Sequence, residues 1–186
     1  MTRTDLLPPS SDIVFKMLFG DARNSDILIA FLRAVLPLPD DEFQEVTLMN
    51  PFLANEYPDE KASILDIKAK TANGRRIDIE IQMQNHSGLK ERIVLYAARM
   101  LTEQSSEGAS YRSLRPVVCI VITDFRLIDN ADYRNRYRLH DARTQSEFSA
   151  LMEINILELP KLPRAAAGES DKLWAWLEFL KLRNKE

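Results

Sequence analysis

Hydrophobic and polar residues alternate along the segment 63–84. In its first half, Leu65, Ile67 and Ala69 alternate with charged residues, which is the period-two pattern of a half-buried β-strand. The second half repeats the alternation with four apolar residues, Ile77, Ile79, Ile81 and Met83. Asn73-Gly74 between the two halves is a turn signal, so the segment is predicted to form an antiparallel hairpin with one apolar and one polar face.

The turn also predicts the register of this hairpin. A two-residue Asn73-Gly74 loop would place Asp66 opposite an isoleucine and mix the two faces. A three-residue loop, 72–74, keeps each face uniform and puts Gly74 where a left-handed residue is required. A one-residue slip is costly when one face is buried. We therefore predict that Asp66 lies opposite Glu80, and Lys68 opposite Asp78.

The other elements are predicted from helical spacing, capping residues and turn residues. Apolar residues at helical spacing predict four helices, at residues 12–20, 25–35, 88–103 and 173–180. The near-continuous apolar run 116–123 is typical of a strand covered on both faces. The acidic, proline-containing segment 39–60 is predicted to be a connector with at most one short strand, around 45–49, and the segment 150–159 to be a short strand or helix. This order predicts an α/β fold, a mixed β-sheet flanked by helices, in one domain spanning 1–186.

The composition is that of a globular protein, with 45% hydrophobic and 28% charged residues. No apolar run approaches the about 20 residues that a membrane span requires, and the first residues lack the apolar stretch of a secretory signal. The one cysteine, Cys119, lies in the predicted buried strand, so neither a disulfide framework nor a zinc cluster is expected. These features predict a cytoplasmic protein.

The charge is unevenly distributed. The net charge of −3 argues against a protein that coats nucleic acid. The segment 124–143 nevertheless contains no lysine and five arginines, Arg126, Arg134, Arg136, Arg138 and Arg143. Arginine suits planar phosphate contacts, so the segment is either a contact surface for a DNA backbone or a solvated face balanced by its own aspartates.

The polar face of the hairpin carries the candidate chemistry. Carboxylates that face each other destabilise a sheet unless positive charge lies between them, and Mg²⁺ takes one or two carboxylates plus waters. Asp66 and Glu80 are therefore candidate metal ligands, with the backbone carbonyl of Ile81 as a further ligand, and Gln82 is placed to orient a water or contact a phosphate. The alternative is a solvated face neutralised by nearby cations, namely Lys68, Lys70, Arg75 and Arg76. Asp78 is expected to pair with Lys68 and is not counted as a ligand.

The spacing Asp66-(13 residues)-Glu80-Ile81-Gln82 looks like the D…(D/E)-X-K signature of PD-(D/E)XK nucleases, with Gln82 in the lysine position. The chain resembles, more specifically, the PD-(D/E)XK family of transposases, the Rpn recombination-promoting nucleases of bacteria. The resemblance covers roughly residues 8–180 and depends on an ordered set of segments: Asp12-Ile-Val-Phe-Lys-Met-Leu-Phe-Gly20, Leu65-Asp-Ile-Lys-Ala69, Gly74, Ile79-Glu-Ile-Gln82, Arg92 with Tyr96, Tyr111 before Pro116, and Leu157-Glu-Leu-Pro-Lys161.

The resemblance implies a restriction-endonuclease-like core and a magnesium-dependent endonuclease, with Mn²⁺ or Ca²⁺ as other candidate ions, that cleaves DNA in recombination or transposition. In that pattern Asp66 and Glu80 bind the metal, Gln82 replaces the lysine, and Asp12 on the first core helix contributes an outer contact. Members of this family often run longer, which leaves open a C-terminal region that this chain lacks. Association into a homo-oligomer is also left open.

Two other functions remain to be compared with the nuclease. The acidic net charge and the missing lysine suggest a catalytically weak or inactive nuclease-fold protein that binds DNA or a protein partner. A third possibility, an unrelated protein with a solvated hairpin face, requires that Asp66 and Glu80 lie apart. The two histidines, His86 and His140, are too few for a zinc site, and five glycines leave little room for a phosphate-binding loop.

Overall fold

The structure, a computed structural model, describes residues 7–53, 63–166, 168 and 171–182. The four helices of the described residues are α1 (Asp12–Phe19), α2 (Ser25–Val35), α3 (Leu89–Thr102) and α4 (Lys172–Lys181). The strands are β1 (Val46–Leu48), β2 (Phe52–Leu53), β3 (Ser63–Ile64), β4 (Ile67–Thr71), β5 (Arg76–Gln82), β6 (Val117–Thr123), β7 (Arg134–His140) and β8 (Glu147–Glu158). None of the helices in these parts of the chain is long and apolar enough to cross a membrane.

Six of the strands form one mixed sheet in the order β1-β4-β5-β6-β8-β7. The central pairs β5-β6 and β6-β8 are parallel, whereas β1-β4, β4-β5 and β7-β8 are antiparallel. Strands β2 and β3 form a separate antiparallel pair. The predicted α/β fold with a mixed sheet flanked by helices is therefore confirmed.

The β4-β5 hairpin has the predicted register. Lys68 pairs with Asp78 and Ile67 with Ile79 in the antiparallel ladder. The N–H of Thr71 donates to the carbonyl of Arg75 at 3.0 Å, which closes the three-residue loop 72–74. Gly74 has φ +86°, a left-handed conformation that suits glycine. The loop thus keeps the apolar and polar faces of the hairpin separate.

A hydrophobic core lies on each face of the sheet. One core joins α1, α2 and α4 to the apolar hairpin face, and the other joins α3 to the opposite face. All seven residues of β6 are buried, as predicted for a strand covered on both faces. Alternate residues of β6 enter alternate cores: Ile120 lies in the first and Cys119 in the second. The polar residues of β5 share the face of Cys119, so they lie under α3.

Two segments differ from their predicted structures. The connector 39–60 holds two short strands rather than at most one, because β2 follows β1 and pairs with β3; its residues 54–60 lie outside the described part of the chain. The segment 150–159 belongs to a 12-residue strand, β8, which confirms the strand alternative. Its length reflects two partners, since β8 pairs with β6 on one side and β7 on the other.

Candidate active site

The structure brings Asp66 and Glu80 into contact at the open end of the hairpin. Asp66 lies in a bend just before β4, and its backbone N–H donates to Glu80 Oε1 at 3.0 Å. Asp66 Oδ2 in turn accepts the N–H of Ile81 at 3.1 Å. Backbone-to-carboxylate hydrogen bonds thus join the two chain segments beyond the last ladder pair. The hypothesis of an unrelated protein required these two residues to lie apart, and it is wrong.

The backbone carbonyl of Ile81 offers a third oxygen near Asp66 and Glu80, as the hydrogen bonds along β5 indicate. Even-numbered residues bond toward β6, since Arg76 N–H donates to Pro116 O and Gln82 O accepts from Asp124 N–H. Odd-numbered residues therefore point toward β4, in agreement with the bond from Ile81 to Asp66. The carbonyl of Ile81 consequently lies on the strand edge that faces Asp66.

Gln82 contacts the same carboxylate pair. Its Nε2 donates to Glu80 Oε2 at 3.1 Å, and the side chain is half-buried. The two oxygens of Glu80 therefore accept from different groups, one from the Asp66 backbone and one from the Gln82 amide. This leaves the Gln82 carbonyl oxygen as the atom with which the side chain can orient a water.

The centre of the hairpin's polar face is buried rather than solvated. Glu80 is 6% exposed and Asp78 is 1% exposed, beneath helix α3. Lys68, also buried, contacts Glu103 Oε2 at 2.6 Å, so the expected ion pair between Lys68 and Asp78 is wrong. Arg76 contacts the same Glu103 oxygen at 3.1 Å. The interpretation of the hairpin as a solvated, cation-neutralised face is therefore wrong, because Lys68 and Arg76 contact Glu103, just after α3, and Arg75 contacts Glu42.

Burial strongly affects the acids of β5. Desolvation and then the negative charge of Asp66 raise the pKa of Glu80 to about 7, although the Asp66 N–H, Arg92 and Gln82 act in the opposite direction. Burial also raises the pKa of Asp78 well above its usual range, and one of its oxygens, Oδ1, has no hydrogen-bond partner. A cation bound here would offset the like charges of these acids.

Helix α3 covers these acids with Arg92 and Tyr96. The Arg92 guanidinium lies 5.9 Å from the centroid of the Tyr96 ring. Burial and the charge of Glu80 raise the pKa of the Tyr96 hydroxyl, so the ring lies within electrostatic reach of the site. Arg92 and Tyr96, which are part of the sequence motif, thus lie close to the acids of the site on the side of α3.

Helix α1 contributes a lysine that the sequence reasoning missed. Lys16 Nζ lies 3.2 Å from Asp66 Oδ1 and 2.8 Å from Asp12 Oδ1. The hydrogen bond to Asp12 is the largest of the effects that raise the pKa of Lys16. Asp12, expected to make an outer contact, reaches Asp66 through this lysine. The available signal was the i,i+4 spacing of Asp12 and Lys16 on a predicted helix.

The donor set fits a hard divalent cation. Asp66, Glu80 and the Ile81 carbonyl offer oxygen ligands, and Mg²⁺ binds proteins through one or two carboxylates plus waters. Across the described residues, no group of three or more His, Cys, Asp or Glu side chains is arranged to hold a metal. The candidate site offers only two such side chains, Asp66 and Glu80, together with one backbone carbonyl. These three oxygen donors suit an ion that keeps several waters, such as Mg²⁺, rather than an enclosed zinc site.

The arginine-rich segment is only partly available to a ligand. Arg134 Nη2 donates to the carbonyl of Val35 at 2.6 Å, and Arg138 Nε donates to Glu153 Oε2 at 2.6 Å. These two arginines join β7 to the rest of the protein. Arg136 is exposed on the same edge strand. Neither a continuous contact surface for a DNA backbone nor a fully solvated face therefore describes all arginines of the segment.

Comparison with known proteins identifies one related family. The family model described as PD-(D/E)XK nuclease family transposase matches residues 9–186, nearly the whole chain. No curated protein and no solved structure matches the chain.

Proposed function

Because the chain belongs to the PD-(D/E)XK nuclease family of transposases, we propose that it is a divalent-metal-dependent endonuclease that hydrolyses phosphodiester bonds of DNA in recombination or transposition. The mixed six-stranded sheet with its flanking helices is consistent with a restriction-endonuclease-like fold. The observation that carries the proposal is the contact between Asp66 and Glu80, at the spacing of the family signature.

In this proposal Asp66, Glu80 and the carbonyl of Ile81 hold a Mg²⁺ ion, with Mn²⁺ or Ca²⁺ as other ions that the same oxygens suit. When bound, the ion lowers the pKa of the attacking water and offsets negative charge on the scissile phosphate. The negative charge of Asp66 beside Glu80 supports this assignment, because a cation bound by both carboxylates would offset their repulsion.

The chain itself positions the reactants. The Gln82 carbonyl oxygen orients the attacking water, while its amide nitrogen remains on Glu80 Oε2. The water oxygen bonds to phosphorus and one P–O ester bond breaks. A proton leaves the water for solvent, and the departing sugar oxygen takes one up. Asp12 does not contact Asp66 itself and acts on it through Lys16, which contacts both aspartates.

A second function differs only in the chemical step. A nuclease-fold protein that binds DNA or a protein partner without cutting it is favoured by one observation: Gln82, in the lysine position, carries no charge and is already bonded to Glu80. For the nuclease we propose that DNA is the main partner; for either function we propose that the protein acts in the cytoplasm, with a homo-oligomer as a further state to test.

Plasmid nicking tests the proposal. We expect purified protein to convert supercoiled plasmid to nicked or linear forms with Mg²⁺ and not with EDTA. Asp66→Ala should abolish this activity, whereas Asp129→Ala, which removes an exposed aspartate, should not. Binding of DNA with no cleavage under any divalent ion would instead favour the second function.

A further inference from the structure

The hairpin lacks the cation that its signature position usually provides. Gln82 occupies that position, and its amide donates to Glu80 Oε2 at 3.1 Å. A neutral hydrogen bond is worth about half a charge-assisted one. The end of strand β5 that carries Glu80 and Gln82 therefore contributes no cation to balance a phosphate that gains negative charge during hydrolysis.

A lysine from helix α1 reaches the same place. Lys16 Nζ lies 3.2 Å from Asp66 Oδ1, and its side chain is 42% exposed. Lys68, on the hairpin itself, is 4% exposed and bound to Glu103. Lys16 is thus accessible to a ligand that approaches from solvent, whereas Lys68 is enclosed.

The position of Lys16 is well anchored. Phe15 and Phe19 on either side of it are fully buried, and their rings pack edge to face with centroids 5.0 Å apart. Phe19 also packs against Phe31 of α2, at 5.0 Å between ring centroids. Asp12 Oδ1, one helical turn earlier, holds the Lys16 ammonium at 2.8 Å. The buried phenylalanines therefore fix the helix backbone that carries Lys16 beside the end of the hairpin, while the lysine side chain stays partly exposed.

We propose that Lys16 supplies the positive charge that Gln82 cannot supply. Its ammonium neutralises Asp66 in the free protein and contacts a non-bridging oxygen of the scissile phosphate when DNA binds. Lysine acts on phosphate as a compact point charge, so it needs no particular approach geometry. The inference rests on the proposed function, and it makes Asp12 a positioning residue for Lys16.

This role has two signatures that do not require cleavage. A cation that binds Asp66 must compete with the Lys16 ammonium, so Lys16→Met should bind Ca²⁺ at least about threefold more tightly in calorimetry. Losing one phosphate contact should also lower the slope of log Kobs against log salt by about one for a short duplex in Ca²⁺. Lys16→Arg should keep the slope. The matched control Lys70→Met removes the same charge from the exposed far end of β4, and should leave both quantities at wild-type values.

Nicking kinetics complete the test. We expect Lys16→Met to slow Mg²⁺-dependent nicking by about 10²-fold, and Gln82→Lys in the same chain to restore most of the rate. Weaker Ca²⁺ binding by Lys16→Met, an unchanged salt slope, or no rescue by Gln82→Lys would each overturn the role. If wild-type protein does not nick DNA at all, the proposed function fails, while the Ca²⁺ affinity and the salt slope still decide the role of Lys16.

Discussion

The backbone N–H of Asp66 donates to Glu80 Oε1 at 3.0 Å, which holds two acidic side chains at one end of the hairpin. Like charges on neighbouring strands destabilise a sheet. Here one of the two acids is buried, and its pKa is raised to about 7. We therefore expect the stability of the protein to depend on the charge at this site.

The first prediction concerns pH. The folded-state pKa of Glu80 lies above the ordinary value of 4.5, so the folded protein binds this proton more tightly than the unfolded chain. Its contribution to stability is complete below the ordinary pKa and is lost as pH rises through about 7. Glu80→Gln should raise the melting temperature by a few degrees at about pH 8 and change it little at about pH 4. Glu91→Gln, at an exposed position of α3, is the control, and an equal effect of both variants would contradict the prediction.

Asp66→Asn should separate activity from stability. The amide keeps an acceptor for the Ile81 N–H and removes the charge that opposes Glu80, although it also loses the contact with Lys16. We expect an unchanged or slightly higher melting temperature, with nicking abolished. A fall of several degrees in a thermal melt would show instead that Asp66 is mainly a structural residue.

The contact of Lys68 with Glu103 should matter for folding. Glu103→Ala leaves the buried Lys68 ammonium without its acidic partner, and breaking a buried pair in this way costs about 3 kcal/mol or more. Urea denaturation measures the loss. Glu107→Ala, at an exposed position after α3, should cost much less. Replacing both partners with apolar residues, Lys68→Met with Glu103→Leu, should recover part of the stability. No recovery would assign the loss to Arg76, which contacts the same Glu103 oxygen, rather than to the buried charge of Lys68.

The arginines of β7 should divide into two groups. Arg138→Glu should destabilise the protein, because Arg138 is bonded to Glu153, which is itself buried. Arg134→Glu should do the same through its lost bond to Val35 O. Arg136→Glu should leave the melting temperature unchanged, and it lowers the salt slope of DNA binding by about one if this exposed arginine touches the backbone. Equal melting temperatures for all three variants would contradict this division.

Gln82 should contribute to rate rather than to metal binding. Gln82→Ala is expected to slow single-turnover nicking at saturating Mg²⁺ by about 10²-fold, the low end for losing a positioned catalytic group. Gln82→Lys should preserve the rate or raise it, because it restores positive charge beside the phosphate. If the alanine variant matches wild type, Gln82 only completes a polar strand, and the assignment reduces to the two carboxylates.

The hairpin could be predicted from sequence because its determinants are local. Strict alternation requires the two faces to stay separate, which selects the three-residue loop, and Gly74 takes the left-handed conformation that this loop needs. Asp66 and Glu80 follow from that register. Strand β6 could be predicted just as directly, because a strand that is buried on both faces consists almost entirely of apolar residues.

The remaining features depend on tertiary contacts. Lys16 and Asp66 are 50 residues apart, and no pattern along the chain connects them. The polar hairpin face suggested solvent, but α3 covers it and supplies Glu103 to balance Lys68. Strand β7 lies at a sheet edge with both of its faces partly exposed, so the sequence lacks the alternation by which strands are recognised.

The two helical layers meet at the end of the hairpin. Lys16 comes from the layer that packs on the apolar face, whereas α3, on the other face, encloses Glu80. A site that draws its charged groups from both layers is therefore complete only where both layers pack against the hairpin. If the chain cleaves DNA as proposed, activity then depends on the packing of both layers against the hairpin.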